Sequence, residues 1–249
     1  MILILCTIDI WFKPLSCLYL ILNLSSPLGM AIYKKDNLLR QRVYKSIIGF
    51  LPTLGILIFG GLYVYSSSLY PGGSQADLCS EGFDWVHNYW CNLMNIQGMN
   101  GQLNPARPFA IFAMVVLCIS LMLFFIRFAK NQSTSHFWKI SIQLCGVISM
   151  VFAMFVFTAY HDLMTILSSV FGVIVVIGIS WEVYKSKMHF FKLSGFACIL
   201  LLGLNNYIYY TQHLIEYLPF IQKATFVLVL VWVMMLNHSL TKKIKNGRR

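Results

Sequence analysis

FAIFAMVVLCISLMLFFI, residues 109–126, runs for eighteen positions without a charge, an amide or a proline. Wound as an α-helix at 1.5 Å per residue it covers about 27 Å, close to the roughly 30 Å of a bilayer's hydrocarbon core. It lacks the alternation of apolar and polar residues that a strand of a membrane barrel carries. A backbone in lipid must satisfy its own hydrogen bonds, so a run of this kind reads as a helix. Five further runs match it: Ile47–Tyr65, Ile140–Ala159, Leu163–Trp181, Leu193–Tyr210 and Ala224–Leu240. Over the 249 residues, 58% are hydrophobic and 11% charged, against roughly 25% charged in a soluble domain. The expected fold class is all-α: a polytopic membrane bundle of six transmembrane helices over residues 30–249, with a long extracytoplasmic loop, 66–108, between helices 1 and 2.

The placement of Lys and Arg sets the expected orientation. Sixteen lie in four alternate segments: Lys34, Lys35, Arg40, Arg42 and Lys45; Arg127, Lys130 and Lys139; Lys185, Lys187 and Lys192; Lys242, Lys243, Lys245, Arg248 and Arg249. The other connections hold two, Arg107 and Lys223. Both ends of the six-helix domain are therefore expected in the cytoplasm of a cell-membrane protein. The net charge of +11 arises from these short clusters, which do not form the aromatic-interleaved basic stripe of a nucleic-acid binder. The expected environment is the lipid bilayer, with no nucleic acid.

The first 29 residues, MILILCTIDIWFKPLSCLYLILNLSSPLG, are apolar but broken by Asp9, Lys13, Pro14 and Pro27. They lack the basic start, unbroken core and small-residue cleavage site of a secretory signal. Two readings stand, an over-extended start or a loosely attached extra helix, and a chain beginning at Met30 is expected to insert and fold.

GFDWVHNYWCNLMNIQGMNGQLNPARP, residues 82–108, is the longest polar stretch, with five Asn among two Trp and a Tyr. It is expected to fold back as a lid on the outer mouth of the bundle. Trp85, Trp90, Tyr70, Tyr160 and Tyr207–Tyr210 read as an aromatic belt at the headgroup level. Cys79 and Cys91 share this connection, and an oxidising exterior makes a disulfide between them open to formation, although spacing alone does not fix its geometry.

Candidate chemistry gathers on the same side. Asp84 and His87 lie in the loop, His161 and Asp162 in the turn AYHDLM, and His213 and Glu216 share a face if the fifth helix continues past Tyr210. Were His87, His161 and His213 to converge, they could hold zinc with an open position for water. The bland alternative is a polar cap over the bundle mouth, and no HExxH or GxSxG motif is present to argue for hydrolysis. Arg107 is expected to pair with Asp84 or Asp162. Within helices, Asn205 and Asn206 call for partners, with Gln143 and Ser149 as candidates, while Pro52, Gly55, Ser168 and Gly172 read as kink and packing positions. His136, His189 and His238 read as interface residues of the basic side.

The segments NPARPFAIFAMVVLCISL and AYHDLMTILSSVFG resemble an uncharacterised bacterial family of six-helix integral membrane proteins, distantly similar to the damage-regulated autophagy modulator group. The resemblance reaches Asn104, Pro105 and His161 and implies a fold and a membrane location without a reaction. The expected function is that of a non-enzymatic binding or accessory protein, contacting lipid headgroups or another membrane protein through the outward mouth. The ligand-binding set would be His161, Asp162, His213, Glu216, Asp84, His87 and Arg107. The alternatives are a metal-dependent hydrolase acting on lipid and a small-molecule transporter. The transporter reading is weakened because the helix centres carry no Asp, Glu, Lys or Arg.

Overall fold

The computed structural model describes residues 27–186 and 188–245. The chain divides into two compact units, Met1–Ile48 and Gly49–Arg249. Of the first unit the described part, 27–48, is helical. The expectations for residues 1–29 fall, apart from 27–29, outside the described residues.

Among the described residues six long helices follow in order: α1 (Pro27–Ser68), α2 (Arg107–Gln132), α3 (His136–Met154), α4 (His161–Lys185), α5 (His189–Thr211) and α6 (Leu218–Lys245). All six contain a segment long and apolar enough to cross a membrane, which in α1 is Ile47–Ser68. Short connections, 133–135 and 155–160, make α2, α3 and α4 successive antiparallel neighbours. Helix α5 packs on α6 and more lightly on α4, and α6 returns against α2.

The large buried side chains Phe59, Leu117, Phe124, Phe128, Ile142 and Leu236 form the core. The opposite faces stay apolar and uncovered, as at Ile166, Val170, Val173 and Ile177 of α4 or Phe196 and Leu200 of α5. Contiguous apolar surface on this scale is what hydrocarbon tolerates and water does not.

Small residues bring the helices close. A Cβ at Gly55 would stand 1.8 Å from Ser120 Oγ, so only glycine lets α1 approach α2 at that level. Ser149 Oγ of α3 donates to the Ser168 carbonyl of α4 at 2.8 Å, beside Gly172. The expected packing roles of Gly55, Ser168 and Gly172 are therefore filled by named neighbours.

The end of the bundle that carries the 127–139 and 182–192 segments, here the basic end, is closed by buried polar bonds. Asn237 Nδ2 donates to the Gly49 carbonyl at 2.9 Å and to Thr53 Oγ1 at 3.0 Å. Pro52 has no N–H for the carbonyl four residues back, and α6 reaches the next carbonyl along, that of Gly49. Glu182, almost fully buried, accepts from the Thr134 N–H and hydroxyl at 3.0 and 3.1 Å, which fixes the α2–α3 turn to α4.

Three local expectations are corrected. Helix α3 stops at Met154 rather than Ala159, and residues 155–160 wind as turns held by the Phe155, Val156 and Thr158 amides. Asn205 bonds Thr225 Oγ1 of α6 at 2.7 Å and the Leu201 carbonyl, not Gln143 or Ser149. Asn206, exposed, donates back to Leu202 of its own helix.

Candidate functional site

The connection 69–106 has two isolated β-bridges, Gly72 with Glu81 and Gln97 with Leu103, and one short 3-10 turn, Trp90–Met94. With so little ladder, its backbone needs side chains to satisfy it, and its asparagines supply them. Asn104 Nδ2 reaches the carbonyls of Asn92, Leu93 and Asn95 at 3.3, 3.1 and 3.0 Å, while its Oδ1 accepts from Ala106 N–H. Asn88, fully buried, donates to the Gly73 carbonyl at 2.8 Å and accepts the Asp84 N–H at 2.8 Å. Asn100 donates to the Pro71 carbonyl, and Tyr70 Oη accepts from Met99 N–H. Gly73, at φ +81°, passes so near Asn100 that a Cβ would stand 2.4 Å from its backbone nitrogen. The loop is thus a knot tied by amides.

This knot roofs one end of the bundle. Trp90 packs edge-on or tilted among Tyr63 and Phe59 of α1 and Phe226 of α6, with ring centroids 5.2, 5.9 and 5.0 Å away. Beneath it lies a cavity of about 400 Å³. Phe59 and Tyr63 (α1), Met114, Leu117, Cys118 and Leu121 (α2), and Met150, Ala153 and Val156 (α3 and its following turn) make its apolar walls. The polar lining comes from His161, Thr165, Ser168 and Ser169 of α4 and Gln222 and Lys223 of α6, and Trp90, Cys91 and Met94 form the roof. Positions 161, 165 and 168 or 169 recur at helical spacing, which places them on one side of α4.

Lys223 is buried, 6% exposed, one turn and a half into α6. Its Nζ donates to the Asn88 carbonyl of the roof and sits 5.7 Å from the Phe83 ring. The indole N–H of Trp90 is buried without a hydrogen-bond partner.

The expected site residues distribute unevenly. His161 does line the cavity, with its Nδ1 3.1 Å from the exposed Asp162 carboxylate. Asp84 and His87 pair with each other at 2.7 Å on the loop surface. Burial disfavours the Asp84 carboxylate, but the His87 ring and the Val86 and His87 N–H groups outweigh it and hold the group below the usual aspartate value. His213 and Glu216 share no helical face, because α5 ends at Thr211 and left-handed Gln212 and Leu214 turn the chain (φ 59° and 60°). Glu216 falls in a separate 3-10 turn, Ile215–Tyr217. His87, His161 and His213 therefore do not converge, and among the described residues no group of three His, Cys, Asp or Glu is placed to hold a metal.

Arg107 pairs with neither Asp84 nor Asp162. Its Nε donates to the Met94 carbonyl at 3.1 Å, closing the open end of the 3-10 turn. Cys79 and Cys91 are free thiols rather than a disulfide. The Asp77 carboxylate holds the Cys79 N–H at the exposed edge of the loop, whereas Cys91 faces the cavity, where burial pushes its thiol up.

Sequence reasoning missed Lys223, Gln222, Thr165 and Ser169. The available signal was a Lys one turn inside an apolar helix, in IQKATFVLVLVW, where an ionisable residue points to function. Comparisons with protein-family models, curated proteins and solved structures give no match.

Proposed function

We propose that the chain is a multi-pass membrane protein that binds a lipid-like amphiphile, without chemical conversion, in the cavity beneath its 69–106 loop. The observation that carries this reading is the cavity itself. Its volume of about 400 Å³ lies within the roughly 300–1,000 Å³ typical of ligand pockets, and it combines apolar walls with a few polar groups as such pockets do. The sixteen-to-two distribution of basic residues supports a cytoplasmic position for both ends of the six-helix domain and an outward position for the roof. The resemblance to six-helix bacterial membrane proteins fits the same picture. Its Asn104 ties the roof together and its His161 lines the cavity.

A single-chain amphiphile carrying a photoreactive group in its chain tests the site. Supplied in excess to membranes containing the full chain, it should cross-link cavity residues such as Leu117, Cys118 and Val156. His161→Ala should reduce that labelling several-fold and leave the melting temperature nearly unchanged, since the His161 side chain bonds only its exposed neighbour Asp162. Equal labelling of the outward face of α5, at Leu200 and Leu204, would mean ordinary bilayer contact and no site.

A further inference from the structure

The lining of the cavity is one-sided in charge. Lys223 is buried there, and no carboxylate lies within 4.0 Å of it among the described residues. Its two contacts, a carbonyl oxygen and an aromatic face, are both neutral. An ammonium has three donors, and the roof carbonyl takes one. Taking a cation out of water with no carboxylate in contact is costly, and the Asp84 charge acts on it only from beyond ion-pair distance, so an anion placed directly on the ammonium would stabilise it.

The other polar groups of the cavity are also able to donate. Trp90 offers a buried N–H with no partner, and Gln222, Thr165, Ser168, Ser169 and His161 add amide, hydroxyl and imidazole groups. No Asp or Glu is among the lining residues. A cationic head would bring a second positive charge beside Lys223 with no acidic residue in the lining to balance it. An anion fits. The remaining walls, Phe59, Leu117, Leu121, Met150 and Val156, require a hydrocarbon body, and a volume near the lower end of the ligand range suits one chain rather than two. Thr165 and Ser169 line the cavity and are also exposed, so the cavity is open along α4, on a side where an amphiphile could enter from the membrane.

Resting on the binding reading above, we propose that the cavity takes a single-chain anionic amphiphile, with its carboxylate or phosphate on Lys223 and the Trp90 indole N–H and its chain among the α2 and α3 side chains.

The full chain in phosphatidylcholine nanodiscs would be titrated with palmitate, with palmitoyl lysophosphatidate and with neutral monopalmitoylglycerol, each displacing the photoreactive amphiphile. At least one anion should compete about tenfold or more better than the neutral glyceride, a difference of about 1.4 kcal/mol. The better of the two anions tells carboxylate from phosphate. Lys223→Met should abolish the preference and Lys223→Arg should keep it. Trp90→Phe, which keeps the ring packing, should weaken the anions several-fold more than it weakens the glyceride, and this variant decides the matter if Lys223→Met does not fold. Equal competition by all three would overturn the anionic assignment and leave the cavity reading standing. A preference that survives both Lys223→Met and Trp90→Phe would overturn the assignment to these residues. No displacement by any of them, with no cavity cross-link, would overturn both readings together.

Discussion

Asn237 and Lys223 stand fourteen positions apart on α6, about 21 Å along its axis and within roughly 40° of one another around it. Both are buried, at 1% and 6% exposure, yet their surroundings are opposite. Asn237 meets Gly49 and Thr53 of α1 directly. Lys223 meets a loop carbonyl on one side and the cavity on the other. The difference lies in what α1 presents. Towards the basic end it offers Gly49, Thr53 and Gly55, small enough for α2 and α6 to close on its backbone. Towards the loop end it offers Phe59 and Tyr63, whose rings meet Phe226 and Trp90 across 5–6 Å centroid distances. Small residues make a seam; aromatic rings hold the helices apart and leave room. A bundle can thus be locked at one end and receptive at the other on the same helix pair.

Closing the seam too far should have the largest effect. Gly55→Val puts branched carbon where Ser120 Oγ already lies within 1.8 Å of an added Cβ, and overpacking of this kind costs about 1–3 kcal/mol. A clear drop in melting temperature is expected, partly restored by adding Ser120→Gly. A melting temperature unchanged by Gly55→Val would show that the seam is looser than its geometry. Asn237→Leu comes next. It removes the donor to Gly49 and Thr53, and interhelical polar contacts in membranes are worth about 0.6–1.7 kcal/mol each. It should lower stability without altering amphiphile competition, the reverse of Lys223→Met. If Asn237→Leu changes the binding preference as much as Lys223→Met does, the two ends are not independent.

The locked end was easier to foresee than the receptive one. Six runs of apolar residues are visible by length alone, and Gly55 could be read as a packing position because small residues do little else in a helix interior. Helix ends were harder. Residues 155–160, FVFTAY, are as apolar as the helix before them, so hydropathy does not register the turn that stops α3 at Met154. Nothing in TQHLIE is glycine, although Gln212 and Leu214 adopt left-handed backbone there. At the site, His161 stood out as a polar residue in a tight turn. Lys223 did not, because it was counted as one of two charges in the sparsely charged connections, and burial is a property of the roof that the loop builds over it. The five asparagines marked a polar stretch expected to fold back as a lid, but not which of them are buried: Asn88, Asn92 and Asn104 are, and they bond the loop's own backbone or side chains. Amides spaced irregularly carry no periodicity from which such a knot could be inferred.

The smallest effect concerns the surface of that roof. Asp84 accepts the N–H groups of Val86 and His87 and pairs with the His87 ring, and these interactions hold its carboxyl below the ordinary value despite partial burial. A carboxylate with a depressed folded value stabilises the fold above its unfolded value of about 3.9, and that stabilisation disappears as pH falls through the lower folded value. From pH 7 down to about 4 the contribution should therefore stay constant, and it should fade only in more acidic solution. The pair is partly solvent-exposed, so its worth is at most about 1 kcal/mol. Hydrogen exchange of segment 84–92, corrected for intrinsic rates, measures it. Asp84→Asn keeps an oxygen to accept the two N–H groups but loses the charge, and at pH 7 it should reduce protection by about fivefold at most. Wild type and variant should converge below pH 3. A wild-type loss of protection already complete at pH 5 would show that another group governs the loop. It would also separate the stability of the roof from the carboxylate that caps its first turn.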